Sequence, residues 1–187
     1  MEFKAPNQRR RSIRLKDYDY SRPGAYFITI VMRNRAFEFG DVVEGEMKMN
    51  DSGRIVQAVW NELPNHYVRV ECDAFVIMPN HVHGIILLRD LSVGAGLKPA
   101  PTPTSAHLRL PEIVRAFKTF SSRHVHVFRN TQGISLWQRN YFEHVIRDDE
   151  SLTRIRQYIH DNLARWEFDR ENPVANRPES KDSWRNG

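Results

Sequence analysis

Residues 70–88 constrain the fold more tightly than any other stretch. Val70–Met78 and His81–Leu88 are two runs rich in branched apolar residues, and only Pro79-Asn80 separates them. A two-residue connection is far too short for a crossover, so the two strands it joins are antiparallel neighbours. Tyr26–Met32, dense in β-branched and aromatic residues, predicts a further buried strand. A short pair around Phe37–Phe39 and Met47–Met49, with Gly45 in its turn, is a second hairpin candidate. Between these strands, Asp51 or Ser52 caps a helix carrying Val56, Val59, Trp60 and Leu63 at helical spacing, and Pro64 is expected to end it.

Pro111 suits the first turn of another helix, with Ile113, Ala116, Phe117, Phe120, His124, Val127 and Phe128 on one face. Asn130 to Gly133 stops it, and Trp137–Arg147 reads as a strand. Asp148 to Ser151 opens a last amphipathic helix with Leu152, Ile155, Ile159, Leu163 and Trp166 inward. The order strand, helix, strand, strand, helix, strand, helix is the ferredoxin-like, or RRM-like, pattern. It predicts an α+β fold with helices on one face of an antiparallel sheet, plus a C-terminal helix.

At 187 residues the chain is expected to form a single domain over 1–187. Within it lie a basic N-terminal arm at 1–25, a Pro-rich insertion at 91–106 and a polar tail at 169–187. Alternating prolines in the insertion block helix and strand alike. No apolar run approaches the roughly 20 residues that cross a bilayer, so no membrane partner is expected. Cys72, the one cysteine, excludes a disulfide scaffold or a Cys-based zinc cluster, and the default compartment is the cytoplasm. Lys plus Arg number 28 against 23 Asp plus Glu, which permits a polyanionic partner without requiring one.

His81-Val82-His83 is the sharpest chemical feature. Residues i and i+2 of a strand share a face, so two imidazoles there can converge on one metal ion; two exposed histidines at a strand end are the competing reading. His124-Val125-His126 repeats the tripeptide in a helical pattern, where the two rings diverge by about 200° and cannot share an ion. Tyr158 and Asn162 stand four residues apart on one flank of the last helix, one above the other. A phenol there could face the metal, although an ordinary boundary tyrosine fits the same pattern. Tyr141 is the rival phenol. Strand alternation would put Arg139, Tyr141, Glu143, Val145 and Arg147 on one face and Asn140, Phe142, His144 and Ile146 on the other.

Taken together, these stretches resemble a known family. Phe75-Val-Ile-Met-Pro-Asn-His-Val-His-Gly-Ile85 is similar to the HUH strand of single-tyrosine transposases. Trp137-Gln-Arg-Asn-Tyr-Phe-Glu-His-Val-Ile-Arg147, followed by Tyr158-Ile-His-Asp-Asn162, resembles their catalytic C-terminal part. Arg14-Leu-Lys-Asp-Tyr-Asp-Tyr20 and Gly24-Ala-Tyr-Phe-Ile-Thr-Ile30 fit the same pattern. The group most resembled is the REP-associated tyrosine transposases, over roughly residues 12–168.

The resemblance implies metal-dependent cleavage and rejoining of single-stranded DNA near a hairpin, a REP-like palindrome, through a 5′-phosphotyrosine intermediate. The implied roles are Tyr158 as nucleophile and His81 and His83 as ligands to Mg²⁺ or Mn²⁺. Asn162 takes the position of the third ligand, and His144 is an alternative third ligand or phosphate contact. Tyr141 occupies a position where relatives tolerate phenylalanine. The family favours a monomer, with a homodimer as the alternative. Arg33, Arg35, Lys118, Arg123, Arg139 and Arg147, near expected strand ends and helix faces, are the candidate DNA contacts, together with the arm at 9–16.

Two other functions fit parts of the sequence. A non-catalytic RRM-like module would stack bases on solvent-facing aromatics of the sheet, for which Phe27 and Phe75 are candidates, but no RNP-type motif is present. A hydrolase of small phosphates would need a carboxylate cluster to hold two ions, which the sequence lacks.

Overall fold

A computed structural model describes residues 15, 18–90, 108–133 and 135–175. The insertion at 91–106, the arginines of the basic arm at 9–14 and the last part of the tail lie outside the described residues. In chain order the elements are β1 (Gly24–Val31), β2 (Gly40–Val43), β3 (Glu46–Met49), α1 (Asp51–His66), β4 (Val70–Met78), β5 (His81–Leu88), α2 (Leu110–Phe128), β6 (Phe142–Ile146) and α3 (Asp149–Asp161).

The 70–88 stretch forms the expected antiparallel hairpin, with Met78 opposite His81. The four long strands make one sheet in the order β4-β5-β1-β6, all neighbours antiparallel. This is the ferredoxin-like arrangement that the order of elements predicts. Strand β1 is central, so Thr29 lies beside His83 on one side and Phe142 on the other. The β2–β3 hairpin is separate and turns at Glu44-Gly45, both at positive φ (53° and 76°), as a two-residue primed turn requires.

Alternation divides the sheet into two faces. Tyr26, Ile28, Ile30, Val82 and Ile86 point into the main core, where α1 and α2 contribute Trp60, Leu63, Ile113 and Phe117. Phe27 and Ile85 point the other way and are covered by Ile155 and Ile159 of α3. Each large apolar side chain so buried stabilises the fold by about 1.5–3 kcal/mol. Gly84 makes the first core possible. A Cβ there would lie 2.6 Å from Trp60 Cη2, so only glycine lets the indole press onto β5, where it stacks on Phe75 with centroids 4.2 Å apart.

Five local expectations are corrected. Helix α1 continues through Pro64 to His66. Proline removes the N–H that Trp60 O would accept, and the Cys72 thiol donates to that carbonyl instead, at 3.5 Å. Residues 138–141 are not strand. Lys118 Nζ takes the carbonyls of Gln138 and Arg139 (2.6 and 2.9 Å), and only an isolated bridge pairs Trp137 with Met32. Helix α2 is rotated from the predicted stripe, leaving Phe120, His124, Val127 and Phe128 exposed. Its inward face carries Ser121 and Ser122 instead. Ser121 Oγ accepts from Trp137 Nε1 at 2.9 Å, and Ser122 Oγ from Leu136 N at 3.3 Å. Helix α3 ends at Asp161, short of Leu163 and Trp166; Trp166 begins a 3-10 turn that carries the chain back over the sheet. Asp169 and Asn172, in the segment expected to be tail, are buried.

Candidate metal centre and nucleophile

The histidine pair sits where β5 begins, on the sheet face that α3 covers. Val82 packs into the opposite core, so His81 and His83 share a face, as a period of two dictates. Both rings are buried, and their Nε2 atoms are 3.0 Å apart. Burial pushes each imidazole down to about 3. For His81 the Arg35 guanidinium adds to this; for His83 the neighbouring His81 adds to it and Asp169 opposes it. Both rings are therefore neutral at pH 7, the form that ligates metal.

The Nδ1 atoms are held from behind. Asn80, fully buried in the hairpin turn, donates from Nδ2 to Glu171 O (2.7 Å) and Arg35 O (3.2 Å). Those two carbonyls fix the amide orientation, so Asn80 Oδ1 accepts from His81 Nδ1 at 2.8 Å. The His81 Nε2 lone pair is then directed at the site. His83 Nδ1 meets the Thr29 hydroxyl at 2.8 Å, which can donate or accept. Partners of this kind orient metal-bound histidines and set their tautomer.

A carboxylate completes the group. His81, His83 and Asp169 offer ligand atoms that all lie within 4.8 Å of one another, with Asp169 Oδ2 3.5 Å from His81 Nε2. The fit to a divalent cation is good. The buried carboxylate would offset one of the ion's two charges while the neutral imidazoles supply lone pairs, and 3.0 Å between the Nε2 atoms matches adjacent donors around an octahedral ion with bonds of about 2.1 Å. The donor set by itself suits several divalent ions.

Helix α3 delivers the phenol. Asp148 caps its first turn, accepting from Ser151 N at 2.7 Å, and Ile155 and Ile159 pin it to Phe27 and Ile85. A two-pronged ion pair from Arg156 to Asp73 (Nε–Oδ1 2.9 Å) ties the same helix to β4. Tyr158, on the flank of this seam, packs edge-on against His83 at 5.4 Å between centroids and against Phe27 at 6.0 Å. Asn162 is buried just past the helix, and its Nδ2 donates to Tyr158 O at 3.1 Å.

The remaining candidates are scattered. His144 shares the sheet face with His83 but lies on β6, opposite Phe27 and so across β1 from the histidines. Arg33 and Arg35 form the exposed turn after β1, with Arg35 paired to Glu171 at 3.0 Å. Arg123, Arg139 and Arg147 are exposed. Burial pushes the Lys118 ammonium down to about 8 as it holds the 138–139 backbone. Burial likewise pushes the Cys72 thiol up to about 12, which removes it as a nucleophile. Sequence reasoning missed Asp169, Asn80 and Thr29. Asn80 had a visible signal, a polar residue in a two-residue turn directly before the first histidine; Asp169 had none.

No protein-family model matches the chain. An uncharacterized protein of Haemophilus influenzae is 38% identical over 174 residues, covering 90% of this chain and 96% of that protein. A second protein of that organism, named "Putative REP-associated tyrosine transposase", is 26% identical over 144 residues, 77% of this chain and 72% of that protein. Among solved structures, a REP-associated tyrosine transposase bound to a REP hairpin shares the fold, with a TM-score of 0.55 at 18% identity over 82% of this chain and 73% of that one.

Proposed function

We propose, from the premise that this chain belongs to one family with its 38% identical Haemophilus relative and is related to the REP-associated tyrosine transposases, that it cuts and rejoins single-stranded DNA beside a hairpin. The observation that carries this reading is the Tyr158 ring seated against His83, itself one of a buried group of metal-ligand type. A phenol with an ordinary pKa near 10 is a poor nucleophile unless its target is activated. Mg²⁺ or Mn²⁺ bound at His81 and His83 would supply that activation, as a Lewis acid on the scissile phosphate. Asp169, grouped with the two histidines, would complete its shell; Asn162 is the third ligand that the family resemblance implies, and His144, on the same face of the sheet, would be a phosphate contact.

Tyr158 Oη attacks phosphorus, the new O–P bond forms as the P–O3′ bond breaks, and the 3′ oxygen leaves as a hydroxyl after taking up a proton. The phenol proton passes to solvent. The DNA is left as a 5′-phosphotyrosine, which the 3′-hydroxyl of a strand can attack in reverse to rejoin. Asn80 and Thr29 hold the two imidazoles, and α3 keeps the phenol at their side.

The competing function, a base-stacking module without chemistry, has less support. Phe27 is buried beneath α3 and Phe75 is stacked on Trp60, so neither offers an open platform.

The test is a denaturing gel with a single-stranded hairpin oligonucleotide and Mn²⁺. Wild type should give a covalent protein–DNA band that EDTA suppresses. Tyr158→Phe should abolish that band while hairpin affinity stays within about twofold. An adduct that survives Tyr158→Phe and disappears with Tyr141→Phe would assign the nucleophile to the wrong tyrosine. Absence of any adduct from wild type would favour the binding module.

A further inference from the structure

The described residues include two lysines, and they stand in opposite settings. Lys48 is exposed on β3 and paired with Glu46. Lys118 is half-buried in the wall of a cleft of about 450 Å³ between α2 and the segment leading into β6, in the size range of small-ligand sites. None of the residues grouped around His81 lines this cleft. Pro111 and Val114 give it an apolar side, while Arg115 and Arg139 stand exposed around the lysine. His126 of α2 and Tyr141 of the facing segment complete the titratable groups of the wall. No carboxylate is among the lining residues, and Glu112, the one acid of α2, pairs with Arg109 at 3.2 Å.

That setting makes an amine nucleophilic. Lysine reacts as the neutral amine, and desolvation beside other cations is what uncovers it. Burial pushes Lys118 down to about 8, so about half of it is neutral at pH 8. Geometry then aims the lone pair. Lys118 Nζ donates to Gln138 O at 2.6 Å and to Arg139 O at 2.9 Å. A neutral amine has two hydrogens, and these carbonyls take both. The lone pair is left on the side of the nitrogen away from that backbone, toward the cleft that the side chain lines. The arginines select the reagent. Two guanidinium groups on a concave wall without countercharge draw a phosphate dianion. A phosphate that carries an acyl group brings a reactive carbonyl to the amine.

We propose that Lys118 is an acylation site for an acyl phosphate, whose phosphate Arg115 and Arg139 hold while the amine attacks its carbonyl carbon. The N–C bond forms as the C–O bond to phosphate breaks. Inorganic phosphate leaves with that electron pair, and the nitrogen gives one proton to solvent. The product amide keeps one N–H, so it can hold only one of the two carbonyls, and the cleft loses one of its three cations. The inference stands apart from the proposed DNA cutting, since it needs neither the metal nor Tyr158.

The experiment incubates the full chain with acetyl phosphate and follows the acetyl occupancy of each lysine by peptide mass spectrometry. At pH 8 Lys118 should be acetylated roughly tenfold or more faster than Lys48, with a rate that climbs to about pH 8 and levels off above it. Excess inorganic phosphate should slow Lys118 about tenfold, the scale of a charge-assisted contact, and leave Lys48 unchanged. Arg115→Gln combined with Arg139→Gln should slow it by a similar factor. p-Nitrophenyl acetate, an acyl donor without phosphate, separates binding from amine reactivity. It should also favour Lys118, but neither excess phosphate nor the arginine variants should slow it as they slow acetyl phosphate. Acetylation of Lys118 no faster than that of Lys48 overturns the proposal. So does equal slowing of both donors by phosphate and by the variants, which would make Lys118 a reactive amine without an acyl-phosphate site. Phosphate competition uses the unaltered protein, so the test holds even if the variants fold poorly.

Discussion

His81-Val82-His83 and His124-Val125-His126 are the same three residues on two different backbones. On β5 the outer residues share a face, and their Nε2 atoms meet at 3.0 Å inside the protein. On α2 they diverge, so His124 is exposed and His126 Nδ1 instead meets Thr131 Oγ1 at 2.9 Å. The first pair is also backed by Asn80 and Thr29 and faced by Asp169, whereas His124 is exposed and His126 is only half-buried. A metal-ligand motif is thus a property of backbone period and surroundings rather than of residue types.

The largest expected effect separates the two tripeptides. Replacing His81 and His83 together by alanine should lower Mn²⁺-dependent strand cleavage by roughly a thousandfold, the scale lost with a principal electrostatic stabiliser. His124→Ala with His126→Ala should stay within about twofold. Equal losses in the two double variants would break the contrast.

Next comes the turn behind the first histidine. Asn80→Ala removes the acceptor that holds His81 Nδ1, and metal affinity measured by titration should fall about 10- to 100-fold. An unchanged affinity would show that the tautomer of His81 is held some other way.

Strand β5 owes its position to Gly84. Gly84→Ala puts a methyl into the Trp60 indole and should cost about 1–3 kcal/mol in urea unfolding. The same assay reads the most gradual effect, the response to acid. An imidazole whose folded pKa is pushed below the ordinary 6.5 takes up its proton only on unfolding, so its contribution is present above that pH and is lost as pH falls toward about 3. In EDTA, His83→Gln should flatten the stability slope between pH 6.5 and 4, and His124→Gln should leave it unchanged.

Much of this was legible along the chain. The Pro79-Asn80 hairpin, the order of elements and the helix bearing Tyr158 all follow from local period and punctuation, which depend on neighbours a few residues away. The errors share a cause. Pro64 was tolerated because a thiol from β4 replaced the missing donor, and residues 138–141 left the strand because Lys118 of α2 took their carbonyls. Helix α2 turned its serines inward because Trp137 and Leu136 needed acceptors. In each case a partner distant in sequence overrode the local preference.

The sequence by itself determined which residues alternate on β5 and which stand four apart on α3. Those follow from backbone geometry, which is the same in every strand and every helix. Only the tertiary structure decided that the face of β5 bearing His81 and His83 would be roofed by the helix bearing Tyr158, and that the chain beyond Trp166 would return to set Asp169 beside His81. Desolvation and the meeting of side chains depend on what lies across the sheet, and no periodicity within β5 encodes that.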